Sequence, residues 1–311
     1  MNTLLVIVGP TAVGKTAVAI EVARRTGGEI ICADSRTIYR GMNIGTAKPT
    51  PEQRCEVPHH LLDVASPDDV FTVARYRELA EAAIADIHAR GRLPLLVGGT
   101  GLYVRAVVDG LSIPRTPPDW ELRARLEEEE RRGGAGTLHA RLRRVDPDAA
   151  ARIHPRNLRR IIRALEVHAA TGQPISRLQQ RHAPAYRVLL VGLTVDRARL
   201  YARIADRVPG QLAAGLVEEV RVLLARGYPR DGPAMEGLGY KEMIGYLDGQ
   251  YDYETAVRVL VRNTRRYAKR QWAWFRRDSR VHWIDVGDDL PAVVAGKICA
   301  MMEAKLLQTS G

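Results

Sequence analysis

The sequence predicts an α/β fold: a parallel sheet flanked by helices, interrupted by a small all-helical insertion and followed by a helical C-terminal region. Three observations carry that prediction. Over the first 110 or so residues, apolar runs of about five residues alternate with longer amphipathic stretches, the pattern of strands buried on both faces beneath helices. A charged stretch from 113 to 185 then offers no convincing strand. The apolar run 188–195 resumes the strand pattern, so the sheet domain is discontinuous, 1–112 with 186–311, around an insertion at 113–185.

The elements follow in order. Residues 4–8 form the first strand, 15–25 a helix, 29–33 the second strand, 70–89 a helix and 93–97 the third strand. In the insertion, helices at 121–132 and 158–170 are separated by Gly133-Gly134, Asp146-Pro147 and His154-Pro155. From Arg197 onward the pattern reads as helices, the last over 253–277. On that helix Arg258, Arg262, Arg265 and Lys269 fall at steps of four, three and four, which places them on one face.

The composition bounds the function. The 311 residues, 46% of them hydrophobic, suffice for one large core and a smaller second one. Lysine and arginine number 47 against 36 acidic residues, a net charge of +11 that favours a polyanionic partner. No apolar run approaches the roughly 20 residues of a membrane span, and no secretory leader is evident. Cys32, Cys55 and Cys299 show no CxxC spacing, so neither a disulfide framework nor a zinc site is suggested and the cytoplasm is the expected compartment.

Gly9-Pro10-Thr11-Ala12-Val13-Gly14-Lys15-Thr16 matches G-x-x-x-x-G-K-[ST] between a strand and a helix. Glycines let backbone N–H groups turn toward phosphate oxygens, Lys15 adds a point charge, and the Thr16 hydroxyl can reach Mg²⁺. The fold is thus of the P-loop type. Asp34-Ser35 ends the second strand, where ligands of open α/β sheets bind. Asp34 is either a Mg²⁺ ligand or a general base. Asp196 could be a metal ligand by the same logic, although a helix N-cap is the favoured reading. Gly98-Gly99-Thr100-Gly101 closes the third strand at the same sheet edge. His59-His60 are assigned no metal, because neighbours in a strand point apart. Lys269-Arg270-Gln271-Trp272-Ala273-Trp274-Phe275-Arg276-Arg277 interleaves cations with rings. That mixture suits unpaired RNA bases, or else a helix with aromatics in the core and arginines in solvent. Arg156, Arg159, Arg160 and Arg163 make a second basic cluster in the insertion.

A series of longer motifs runs through the chain: Gly-Pro-Thr-Ala-x-Gly-Lys-Thr at 9–16, Asp-Ser at 34–35, Tyr-Arg-Gly-Met-x-Ile-Gly-Thr-Ala-Lys-Pro at 39–49 and Pro-His-His-Leu-Leu-Asp at 58–63. Gly-Gly-Thr-Gly-Leu-Tyr follows at 98–103, Arg-Ala-Leu-Glu-Val at 163–167, Gly-Tyr-Lys-Glu at 239–242 and Tyr-Ala-Lys-Arg-Gln at 267–271. In this order the motifs resemble the bacterial tRNA dimethylallyltransferases, also called tRNA isopentenyltransferases. The resemblance implies transfer of a dimethylallyl group from dimethylallyl diphosphate to N6 of the adenosine immediately 3′ of the anticodon. It implies that Gly9, Thr11, Ala12, Val13, Gly14, Lys15 and Thr16 hold the diphosphate with Mg²⁺, and that Asp34 is the general base on the amine. Thr100 would then lie in the reaction channel, with Arg207 clamping the leaving diphosphate. The contacts to a tRNA anticodon stem-loop would come from Asp34, Ser35, Arg36 and Thr37, from Thr100 and Arg123, and from Arg159, Arg160, Ile161, Ile162 and Arg163. Further contacts would come from Glu236, Gly237, Leu238, Gly239, Tyr240 and Lys241, and from Lys269, Arg270, Gln271, Trp272, Ala273, Trp274, Phe275 and Arg276. A monomer is expected, without the C-terminal zinc finger of eukaryotic relatives. Two segments depart from the commonest pattern, Arg36-Thr37 and Val208-Pro209-Gly210, and Pro209 argues against an unbroken helix around Arg207. The competing readings are a P-loop kinase, which would consume ATP and ignore tRNA, and an RNA-stimulated ATPase.

Overall fold

The computed structural model describes residues 2–307, the side chains of 306 and 307 excepted. Six strands form one sheet in which every pair is parallel: β1 (Thr3–Val8), β2 (Glu29–Cys32), β3 (His59–His60), β4 (Pro94–Gly98), β5 (Arg187–Thr194) and β6 (His282–Asp285), in the order β3-β2-β4-β1-β5-β6. β1 is central, with Leu5 opposite Leu95 on one side and Leu189 on the other. Leu4, Leu5, Val6, Ile7 and Val8 are all fully buried, which is why this strand reads as a continuous apolar run.

Four helices follow the first strands: α1 (Lys15–Thr26), α2 (Pro51–Glu56), α3 (Val73–Ala89) and α4 (Gly101–Val108). α3 begins three residues later than the apolar pattern suggests, because the Thr72 hydroxyl accepts the Arg75 N–H and sets the N-cap there. On β3 the two histidines do point to different partners, His59 to the Val57 carbonyl and His60 to Glu29.

The chain divides into two compact units, Met1–Val104 with Ala185–Gly311, and Arg105–Pro184, so the division falls inside α4. The second unit holds α5 (Trp120–Gly133), α6 (Thr137–Val145), α7 (Pro147–Arg152), α8 (Leu158–Thr171) and α9 (Ile175–Leu178) around a core that includes Leu126, Leu138, Leu142, Ile161 and Leu165. Among the described residues its only β contact is an isolated bridge between Leu111 and Arg181. Asp119, Asp146 and Asn157 cap α5, α7 and α8, so the breaks at 146–147 and 154–155 lead into capped helix starts, while Gly133-Gly134 ends α5.

The first unit continues with α10 (Arg197–Ala213), α11 (Leu216–Ala225), α12 (Tyr240–Leu247), α13 (Tyr253–Phe275) and α14 (Pro291–Leu307). Asp196 is an N-cap, its carboxylate accepting the N–H groups of Ala198 and Arg199. α10 runs through Pro209 unbroken, with the proline ring on an exposed face. The C-terminal region is not all helical as expected. β6 adds an edge strand, too short and too exposed to show an alternating pattern, with only Ile284 buried. α14 then packs on α1 beyond it, burying Val294, Ala295 and Ile298.

Candidate active site

Three loops meet at the carboxyl ends of adjacent strands β2, β4 and β1, as the topology requires of an open parallel sheet. The loop 9–16 leaves β1 with Gly9 at φ +146°, where a Cβ would lie 2.5 Å from the Leu193 carbonyl oxygen. Ala12 and Gly14 also take positive φ, of 65° and 103°, which turns the loop back on itself before α1 begins at Lys15. The Lys15 ammonium donates to the Gly9 and Pro10 carbonyls at 3.1 and 2.8 Å. Arg207 on α10 donates to the Thr11 hydroxyl at 3.3 Å, and Arg203, one turn earlier, to the Val13 carbonyl at 3.3 Å.

β2 and β4 bring the other two loops together. Gly98 packs so closely on Ala33 that a Cβ would sit 2.1 Å from the Ala33 carbonyl oxygen, and the Thr100 N–H donates to that same oxygen. The Thr100 hydroxyl accepts the Ser35 N–H at 2.9 Å and donates to the Ser35 hydroxyl at 3.3 Å. Asp34 is half-buried, with one carboxylate oxygen accepting the Arg36 N–H at 2.8 Å. α13 closes the site through residues 267, 271 and 274, spaced four and three apart on one face. Tyr267 lies beside Thr100 and Asp34. Burial, then the Asp34 charge, push its phenol up, so it stays protonated at neutral pH. Gln271 joins the 9–16 and 98–101 loops, and a Cβ on Gly101 would meet the Trp274 indole nitrogen at 2.2 Å.

The charges explain one another. Burial of the ammonium brings the Lys15 pKa down to about 8; the Asp34 carboxylate opposes that shift and Arg207 adds to it. Burial also lowers Arg207, again opposed by Asp34. One carboxylate is therefore close enough to act on both cations. Two oxygen donors, the Thr16 hydroxyl and the Asp34 carboxylate, belong to these loops, and neither fills its capacity within the protein. Among the described residues no three His, Cys, Asp or Glu side chains gather as a metal cage. Hard oxygen donors in so small a number suit a Mg²⁺ ion that shares a ligand's phosphates, since Mg²⁺ keeps most of its shell for water and phosphate.

A model of the family described as IPP transferase matches residues 37–278. The chain belongs to the IPP transferase family. A protein of Symbiobacterium thermophilum named tRNA dimethylallyltransferase is 56% identical over 285 residues, which cover 91% of this chain and 89% of that one. Among solved structures, the tRNA isopentenylpyrophosphate transferase of Bacillus halodurans is 44% identical, covers 100% of this chain and 98% of its own, and superposes with a TM-score of 0.75. A eukaryotic dimethylallyltransferase described as acting on tRNA is 26% identical, covering 93% of this chain and 75% of its own, with a TM-score of 0.79. Membership of this family sets aside the kinase and ATPase readings. No helix among the described residues is long and apolar enough to cross a membrane.

In this family member the residues expected to meet tRNA sort by burial, and several need correction. On α13, Lys269, Arg270, Trp272, Ala273 and Arg276 face solvent, with the Arg276 guanidinium 4.8 Å from the Trp272 ring centroid. Gln271 and Phe275 point the other way and are buried, so they are not surface contacts. Ile161 and Ile162 belong to the core of the helical unit, where a helix interdigitates its apolar stripe, and Arg159 and Arg160 are the exposed members of that segment. Arg123 and Arg163 are both committed to Glu166, at 2.7 and 2.6 Å. Thr37 is buried beneath Asp34, whose carbonyl its hydroxyl donates to. Arg36 is tethered to the Pro233 and Ala234 carbonyls. Tyr240 is fully buried and donates to Glu219 at 2.6 Å, its ring resting where a Cβ on Gly45 would be. Gly237 and Gly239 are buried with it, which leaves Glu236, Lys241 and part of Leu238 accessible.

The face read from steps of four, three and four is a groove of ≈ 550 Å³, lined by Arg258, Arg262, Arg265, Arg266 and Lys269 of α13 and by Arg197 and Tyr201 of α10. The Arg197 and Arg265 guanidinium groups both lie over the Tyr201 ring, each 5.1 Å from its centroid. Sequence reading gave no role to Arg203, or to Tyr267 beyond its place in the 267–271 motif. Tyr267 carried a usable signal, the shared helical face with residues 271 and 274. Arg203 had none, because its partners are loop carbonyls.

Proposed function

We propose that this protein transfers a dimethylallyl group from dimethylallyl diphosphate to N6 of the adenosine immediately 3′ of the anticodon in tRNA, releasing diphosphate. The observation that carries the reading is the convergence of Asp34 after β2, Lys15 at the start of α1 and Arg207 of α10, one carboxylate and two cations. The cations suit a diphosphate, and the carboxylate suits an amine that must lose a proton.

As the allylic C–O bond breaks, negative charge grows on the bridging oxygen. Lys15, Arg207 and the N–H groups of the 9–16 loop stabilise it, each such preorganised contact being worth about 2.7–4 kcal/mol. Thr16 would hold a Mg²⁺ ion, which would supply further neutralisation of charge on the leaving group. Asp34 accepts the proton that the N6 amine loses as the new C–N bond forms. Thr100, tied to Ser35, lines the path of the amine, and Tyr267 offers a hydroxyl beside both. An adenine stacked in a loop must leave the stack to reach this position. The exposed cations and Trp272 of α13 suit the phosphates and bases of an anticodon stem-loop.

The test is to incubate the protein with labelled dimethylallyl diphosphate and unmodified tRNA, then locate the label. Asp34→Asn keeps the shape of the side chain and loses the basic oxygen, so alkylation should fall by roughly a hundred- to ten-thousand-fold while tRNA binding is retained. Label in tRNA at wild-type rate in the Asp34→Asn protein would sink the assignment of the base. No label in tRNA with the wild-type protein would sink the whole reading.

A further inference from the structure

Gln271 sits among exposed neighbours and is itself only 5% exposed. Both ends of its amide are used. The side-chain oxygen accepts the Thr11 N–H at 2.8 Å, and the side-chain nitrogen donates to the Gly99 carbonyl at 3.0 Å. Those partners lie in different loops, Thr11 after β1 and Gly99 after β4. The approach at Gly99 is so close that a Cβ there would fall 2.0 Å from the amide nitrogen. Each loop then continues to a group with work to do. Thr11 receives Arg207 through its hydroxyl, and Gly99 is followed by Thr100, which holds Ser35 next to Asp34.

We infer that Gln271 is a positioning residue that fixes the spacing between the diphosphate loop and the loop carrying Thr100, and does not contact RNA. The inference rests on the assignment of the 9–16 loop to diphosphate. An in-line transfer requires the electrophilic carbon and the attacking amine to be set at one separation, and these two loops carry the groups that hold them. A neutral amide is the side chain for such a tie, because it donates and accepts at once. A carboxylate cannot donate, and a thioether of the same length cannot donate and accepts only weakly.

Gln271→Met, assayed as the full chain below its unfolding midpoint, should lower kcat by about a hundredfold, the cost of an ångström-scale misplacement. Its tRNA affinity should stay within about twofold of wild type, measured by direct binding. Gln271→Asn keeps the amide but is one methylene short, so it can hold one loop and not both; the same kcat loss is expected, and this variant decides the matter should Gln271→Met not fold. Weakened tRNA binding with kcat retained would make Gln271 an RNA contact and overturn the inference. Unchanged kcat and KM values with a lowered unfolding midpoint would make it a brace for stability and overturn it equally. Lys15→Ala, run alongside, separates the two readings: a wild-type kcat/KM for dimethylallyl diphosphate in that variant removes the diphosphate loop itself, whereas an impaired Lys15→Ala beside a normal Gln271→Met removes only the role of Gln271.

Discussion

Helices α8 and α13 read alike in the sequence, as basic amphipathic stretches, yet Arg163 of the first and the groove cations of the second are spent differently. On α8, Arg163 donates to Glu166, a carboxylate 1% exposed that also takes Arg123 and the Asp119 N–H. On α13, Arg262, Arg266 and Lys269 border an open groove, and among the described residues none of them has a carboxylate within 4.0 Å. Lys15 and Arg207 form a third class, half-buried near one another at the loop that follows β1. A net charge counts all of these equally. Only the exposed, unpaired ones remain for a long polyanion, the half-buried pair suits a small fixed anion, and the paired ones serve the fold.

The comparison is sharpened most strongly at the half-buried pair. Lys15→Ala and Arg207→Ala should each cost about 2.7–4 kcal/mol of transition-state stabilisation, read as kcat/KM for dimethylallyl diphosphate, with little change in tRNA affinity. A tRNA defect in place of the catalytic one would merge this class with the groove.

Next in size is the paired class. Burial alone would raise the Glu166 carboxyl, but hydrogen bonds from Arg123, Arg163 and the Asp119 N–H outweigh it and hold the group down at about 2. A carboxyl lowered on folding contributes stability that is complete above its ordinary pKa and is lost as pH falls from there toward 2. Glu166→Gln should therefore destabilise the helical unit by about 1.5–3 kcal/mol at neutral pH, measured by denaturant unfolding, and the difference from wild type should shrink in acid. A deficit that stays constant down to pH 3 would show that the carboxylate's charge contributes nothing.

A smaller effect comes from pH. Lys15 grips an anion as the ammonium, and with its pKa at about 8 the charged form dominates below that pH and is lost above it. The free protein's kcat/KM for the diphosphate substrate should be level below about pH 8 and fall by about tenfold per unit above it. A profile flat to pH 10 would place Lys15 outside the anion's reach.

The smallest effects separate the two helices directly. Arg262→Ala and Arg266→Ala should each shallow the salt dependence of tRNA affinity by about one phosphate contact, a log–log slope of about 0.7 for single strands. Arg163→Ala should leave that slope unchanged, because its guanidinium already has a partner. Equal changes on both helices would break the distinction.

Much of this was legible in the sequence. β1, the loop 9–16, Asp34 and the turn at 98–101 announce themselves through apolar runs ending in glycine or aspartate, because a strand buried on both faces and a backbone that approaches phosphate both restrict residue type. The insertion was legible from its turns and charge. β6 and α14 were not: β6 buries only Ile284, and α14 is apolar nearly all round, which blurs the helical period that marks an amphipathic surface. Side-chain direction was lost as well. The resemblance implied 269–276 as one run of contacts, whereas the period of 3.6 residues turns Gln271 and Phe275 inward. Ile161 and Ile162 entered the expected contacts with the range 159–163 that the resemblance implies, and in the structure both side chains are buried.

The position of β1 has a consequence for how the chain is made. Its two neighbours are β4, with Leu95 beside Leu5, and β5, with Leu189 beside the same residue. A ribosome delivers β1 and β4 first and then the whole helical unit, Arg105–Pro184, before β5 emerges. Throughout that interval the most apolar strand of the protein has one hydrogen-bonding edge unfilled, while the segment being synthesised folds around a core of its own. Contacts that join distant parts of a chain are slow to form, and an open edge is where association with other chains begins. An insertion that closes its own core without borrowing from the sheet keeps this waiting period short of competing apolar surface.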